Sequence, residues 1–103
     1  MCGIAGIVDY RNGSPSPALL ERMLALIMHR GPDSFGIYVD DTAGIASARL
    51  SIIDIRGGDQ PICNETGSVW VVYNGEIYNY PDLRKELEKR GHRFGTNTDT
   101  EVL

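Results

Sequence analysis

The chain has only two cysteines, Cys2 and Cys63, in 103 residues. That is too few for a disulfide framework and reads as a cytoplasmic protein. Positive charge is also short: Lys+Arg total 10 against Asp+Glu 14, a formal net charge of −4. Nucleic acid is therefore a poor partner, because a phosphate backbone calls for a basic field, and an anionic membrane surface is disfavoured on the same ground. No uncharged run approaches the roughly 18 residues of a membrane-spanning helix. No basic segment leading into an apolar one marks a signal peptide. His29, His92 and the two cysteines form neither a Cys-x-x-Cys nor a His-x-x-x-His pair, so no metal site is expected. A Gly-rich loop ending in Lys-Ser/Thr and a strand-linked G-x-G-x-x-G are both missing, so no cofactor or nucleotide site is expected in this chain. There are no internal repeats or low-complexity tracts.

What is present is an ordinary globular composition, 42% hydrophobic and 23% charged. The length suits one small domain or a piece of a larger one. Cys2 to Val8 is apolar and Gly-rich without helical period, which predicts a buried strand. Ser16 as N-cap and Pro17 at the first helical position open a helix. Leu19, Leu20, Met23, Leu24, Ile27 and Met28 give it one apolar face as far as about His29, and Gly31-Pro32 ends it. Phe35–Val39 and Gly44–Ile53 read as strands joined by a turn at Asp40-Asp41-Thr42. Arg56–Pro61 reads as a loop, with Cys63 in a loop-like stretch and without a role. Val69–Tyr73 is β-branched and aromatic, hence a strand. Pro81 opens a second helix with Leu83 and Leu87 on its inner edge. Arg84/Glu88 and Glu86/Arg90 stand at i, i+4, and Gly91 serves as a C-terminal cap. Thr98-Asp99-Thr100-Glu101 has the form of a capping box, which starts a helix. Because Leu103 follows two residues later, this is expected to be the front end of a longer natural protein.

Four positions invite chemistry, each beside a plain structural reading. Cys2 becomes N-terminal if the initiator Met is removed. Its thiol then shares a Cα with an α-amine that titrates at roughly 7.7–8.0, a base next to its own nucleophile. Otherwise Cys2 is a small hydrophobe at the start of a strand. Asn74-Gly75 is a strong hairpin signal. It is equally a side-chain amide beside a Gly N–H, two donors that can converge on the oxyanion of a tetrahedral intermediate. Arg49 either reaches solvent from a strand end or forks onto a carboxylate. Asp99 either complements a helix dipole or receives an ammonium group.

Taken together, the residues resemble the N-terminal glutaminase domain of glutamine-hydrolysing asparagine synthetases, amidotransferases with an N-terminal nucleophile. The resemblance covers the whole chain. It rests on Met1-Cys2-Gly3-Ile4, His29-Arg30-Gly31-Pro32-Asp33, Arg49-Leu50-Ser51-Ile52-Ile53-Asp54, Asn74-Gly75-Glu76-Ile77-Tyr78-Asn79 and Thr98-Asp99-Thr100-Glu101-Val102. Each segment is weak alone, but together in this order they are strong. The resemblance implies an α+β fold, a four-layer α/β/β/α sandwich with two antiparallel sheets. Residues 1–103 would supply its first half, and the rest of the domain and a C-terminal synthetase domain would lie outside this chain.

The resemblance further implies hydrolysis of glutamine to glutamate and ammonia through a Cys thioester. The ammonia would pass to a synthetase domain that makes asparagine from aspartate. Cys2 would be the nucleophile, and Asn74 and Gly75 the oxyanion hole. Arg49 would hold the glutamine α-carboxylate and Asp99 its α-ammonium. Groups at Leu50, Ile52, Ile53 and Glu76 would complete the glutamine site. ATP and Mg would be needed only by the synthetase domain, and a homodimer is compatible with the family. If Met1 stays on, the Cys2 amine is an amide and cannot act as a base. Two other functions share the fold: a glutamine-binding or partner-docking module without turnover, and an amidotransferase for another acceptor.

Overall fold

β1 (Gly3–Val8) starts directly after Cys2 and pairs antiparallel with β3 (Ala43–Arg49), with Gly3 opposite Ala48 and Val8 opposite Ala43. β2 (Ser34–Val39) pairs antiparallel with the other edge of β3, with Ser34 opposite Arg49, giving the sheet order β1-β3-β2. A second antiparallel pair joins β4 (Ile62–Cys63) to β5 (Trp70–Val71). Among the described residues, two helices, α1 (Pro17–Ile27) and α2 (Tyr80–Lys89), complete the regular structure, with short 3₁₀ turns at Met28–Arg30 and Thr100–Val102. This is an α+β architecture with antiparallel sheets. The computed structural model describes residues 2–11, 13–50 and 57–103. Among them, no helix is long and apolar enough to cross a membrane.

α1 forms as its sequence predicts. The Ser16 hydroxyl accepts from the Leu19 N–H at 3.4 Å, satisfying one orphan donor of the first turn, and proline occupies the start. The apolar stripe buries Leu20 and Leu24 against Ala46 and Ala48 of β3. Ala5, Ile7, Ile27, Ile37 and Val39 border this core. Fully burying each leucine is worth about 1.5–3 kcal/mol. The alanines matter by being small, because they let a helix lie close on the central strand.

Strand alternation then decides where the chemistry goes. With Ala46 and Ala48 under the helix, Ser47 and Arg49 must point to the opposite face. That face is partly covered by the second sheet: the Tyr38 ring stacks on Trp70 with centroids 4.1 Å apart. Towards β1 it stays open, with Ile4 48% and Val8 58% exposed.

Gly31 explains the tight turn after α1. A Cβ there would collide with the backbone of Ala48 and Arg49, so only glycine allows this approach. The turn is tied to the sheet end by the Asp33 N–H donating to the Arg49 carbonyl at 3.0 Å.

Four expectations are corrected. The strand predicted over Val69–Tyr73 contains only Trp70–Val71, and its partner is Ile62–Cys63, so Cys63 lies in a strand rather than a loop. The hairpin turn belongs to Asn64–Val69, where Asn64 Oδ1 accepts from the Ser68 N–H at 2.9 Å and from the Val69 N–H at 3.2 Å. The two-residue β4 is too short to show as a periodic pattern. Thr98–Glu101 does not form a capping box, because the Glu101 carboxylate reaches further back and accepts from the Gly95 and Thr96 N–H groups at 2.7 Å each. β3 ends at Arg49; residues 51–53 of the predicted strand lie outside the described residues.

Candidate active site

The first strand delivers Cys2 to the end of the sheet beside Leu50. The Leu50 N–H donates to the Cys2 sulfur at 3.3 Å, and the thiol faces the Leu50 carbonyl at 3.6 Å. Arg30 donates from Nε to the Cys2 carbonyl at 3.3 Å. The chain start is thus held from both the β3 end and the turn after α1. Such support keeps a reactive group within a narrow range of positions.

Arg49, the last residue of β3, is only 5% exposed, so the solvent-reaching reading does not hold. Its guanidinium donates to the Gly57 carbonyl at 2.9 Å and approaches the Asp59 carboxylate at 3.4 Å. Asp59 in turn accepts from the Ser34 hydroxyl at 2.9 Å. A buried cation with these fixed partners has a set orientation, and its planar fork of N–H donors is the geometry that matches a carboxylate.

Asn74 and Gly75 do not turn a hairpin. They follow β5 in an irregular stretch, bent at Gly75, that leads into α2, and both are exposed on the wall of a cleft. The Tyr73 ring folds back against Gly75, where a Cβ would come 2.5 Å from its hydroxyl. Two residues on, the Ile77 N–H donates to Asp99 Oδ2 at 2.9 Å. Asp99 is 6% exposed, and that bond ties it to the Asn74–Glu76 segment.

Asp99 is held by the loop before it. Arg84 of α2 donates to the Thr96 carbonyl at 2.6 Å while its guanidinium carbon lies 4.8 Å from the centroid of the Phe94 ring. Glu101 holds Gly95 and Thr96 from the other side.

These residues line one cleft of about 300 Å³: Cys2, Arg49, Leu50, Asn74, Gly75, Glu76 and Asp99. Every predicted site residue that is described is on its wall; Ile52 and Ile53 lie outside the described residues. That volume suits a small polar molecule. Arg49 and Asp99 offer opposite charges to it, with neutral donors between. Sequence reasoning missed Gln60, Tyr73, Tyr78, Thr98 and Thr100, which share the lining. No pattern singles them out: Gln60 sits in a loop, and the threonines looked like capping residues. Cys63 lines a separate hollow with Trp70. Among the described residues no cluster of three His, Cys, Asp or Glu side chains is placed to hold a metal ion.

The family described as "Glutamine amidotransferase domain" matches residues 1–103. The chain is 44% identical over 106 positions to asparagine synthetase [glutamine-hydrolyzing] 1 of Bacillus subtilis (strain 168), covering all of this chain and 17% of that protein. It is 41% identical to asparagine synthetase [glutamine-hydrolyzing] 1 of Arabidopsis thaliana, over all of this chain and 18% of the relative. It is 40% identical over 104 positions to asparagine synthetase B [glutamine-hydrolyzing] of Escherichia coli (strain K12), over all of this chain and 19% of the relative. The chain therefore spans less than a fifth of the length of these relatives.

Proposed function

The chain belongs to the glutamine amidotransferase domain family, and from this premise we propose that it is the glutaminase part of an asparagine synthetase-like enzyme. One observation carries the reading: a thiol, a cation, a carboxylate and an Asn-Gly pair of donors meet in one cleft, although they come from four separate parts of the chain.

In the form with Met1 removed, the α-amine of Cys2 takes the thiol proton, directly or through a water. The sulfur attacks the side-chain amide carbon of glutamine. The oxyanion that forms is held by the Asn74 amide and the Gly75 N–H. Collapse of this intermediate transfers the proton to the leaving nitrogen and releases ammonia, leaving a glutamyl thioester on Cys2. Water then attacks the thioester, and glutamate departs. Arg49 binds the α-carboxylate and Asp99 the α-ammonium, so the substrate is fixed at one end while it reacts at the other. Leu50, Ile52, Ile53 and Glu76 complete the glutamine pocket in this proposal.

The ammonia passes to a C-terminal synthetase domain that uses ATP and Mg to activate aspartate. That acceptor follows the names of the relatives, and those cofactors have no binding residues assigned in this chain. Residues 1–103 would be the first part of a cytoplasmic four-layer α/β/β/α domain. The open apolar face at Ile4 and Val8 supports a further layer there.

The test is chemical. A glutamine analogue bearing an electrophile at the amide position should label Cys2 of the processed full-length protein, found by mass spectrometry of peptides. Both thiols are free, so Cys63 is a built-in control. Labelling at Cys63 with Cys2 untouched would overturn the proposal.

A further inference from the structure

We propose that Gln60 is a positioning residue that couples the α-ammonium anchor to the oxyanion hole, an inference that rests on the glutaminase reading. Gln60 is 7% exposed and lines the cleft. Its side-chain oxygen accepts from the Tyr73 N–H at 2.6 Å, and its side-chain nitrogen donates to the Thr100 hydroxyl at 3.2 Å. Tyr73 immediately precedes Asn74-Gly75, and Thr100 immediately follows Asp99. One buried amide therefore spans the two segments that hold the two ends of the substrate.

The chemistry of the amide suits that task. A primary amide carries an acceptor and a donor on one rigid plane, so it meets an N–H on one side and a hydroxyl on the other. The bond to Thr100 is buried and the bond to Tyr73 is half-buried, so leaving either unmade is costly and the two segments keep a fixed spacing. A second tie runs parallel to it, from the Ile77 N–H to Asp99. Between them the segments 73–77 and 98–100 behave as a single unit. Seating an ammonium against Asp99 then fixes the Asn74 and Gly75 donors, and binding energy at the unreacting end is used at the reacting carbon.

The experiment uses the full-length processed protein and two substrates: glutamine, and glutaramate, which is glutamine without its α-amine. Ammonia release is measured for the parent, Gln60→Leu, Thr100→Val and the double variant. Thr100→Val is nearly isosteric and guards against a folding defect in Gln60→Leu. In the parent, kcat for glutaramate should be about tenfold or more below that for glutamine. In both single variants, kcat for glutamine should fall towards the glutaramate value, while kcat for glutaramate barely moves. The double variant should fall no further than Gln60→Leu, because Thr100 has then already lost its partner. A merely structural role would scale both substrates alike. A preserved kcat ratio in both variants, equal kcat values in the parent, or additive losses in the double variant overturn the coupling while the parent remains a glutaminase. A parent that releases no ammonia from glutamine overturns the glutaminase reading itself, and the coupling with it.

Discussion

The Cys2 sulfur receives the backbone N–H of Leu50 at 3.3 Å, one residue beyond Arg49. The proposed nucleophile and the proposed carboxylate clamp are thus fixed by consecutive residues of one strand end. Cys2→Ala keeps β1 and its pairing but removes the sulfur. Glutamine hydrolysis should be abolished, while the full-length protein should still make asparagine from added ammonia. Surviving glutaminase activity in that variant would mean a different nucleophile.

Asn74→Ala removes one of the two proposed oxyanion donors. The loss should be in kcat, on the order of 10²–10³-fold, because the donor acts on charge that develops in the transition state. The KM for glutamine should change little. A variant with raised KM and parental kcat would assign Asn74 to ground-state binding instead.

Arg49→Lys tests the clamp. A lysine keeps the charge but has no planar fork, so it cannot offer a carboxylate two parallel N–H groups while also holding Gly57 and Asp59. The KM for glutamine should rise by about tenfold or more, with a smaller change in kcat. Steady-state ammonia release against glutamine concentration gives both values. A fall in kcat at constant KM would remove Arg49 from substrate binding.

The elements that carry their own punctuation could be read from residues. α1 announces itself through Ser16, Pro17 and the leucine stripe, and its core partners follow from strand alternation. The site was legible only in part. Cys2, Arg49, Asn74 and Asp99 each had a plain reading that local pattern could not exclude. What places these residues is non-local: Arg49 is buried, the Ile77 N–H reaches Asp99, and Asn74-Gly75 runs on towards α2 in place of a hairpin. Gln60 was invisible because its partners lie 13 and 40 residues away, beyond any periodic window. Glu101 differs: its partners are near, but its matching spacing to Thr98 suggests a box that the reach to Gly95 and Thr96 displaces.

Leu20→Ala should destabilise the fold by about 2–5 kcal/mol, since Leu20 is wholly buried between Gly44, Ala46 and Ala48 and small neighbours cannot close over the cavity. Urea unfolding of the full chain checks it. A change under about 1 kcal/mol would show that α1 can settle onto the sheet, contrary to the packing described.

Asp40 should give the β2–β3 turn a dependence on acid. Its Oδ1 accepts from the Thr42 N–H at 2.8 Å and from the Ala43 N–H at 2.7 Å. The Thr42 bond and then the Ala43 bond hold its carboxyl below the usual carboxylate range. A carboxyl depressed in the folded state binds its proton less readily there than in the unfolded chain. Its stabilisation is therefore complete above the ordinary unfolded pKa of about 3.9 and is lost as pH falls through the lower folded value. Asp40→Asn keeps an acceptor oxygen but cannot titrate. The parent should be the more stable of the two at neutral pH, and the gap should close on acidification. The effect should be small, because the group is fully exposed to solvent. Thermal melts of both proteins from neutral pH down to about pH 3 would read it as a converging pair of midpoints. Two curves that stay parallel over that range would show that the turn is held by its backbone bonds alone.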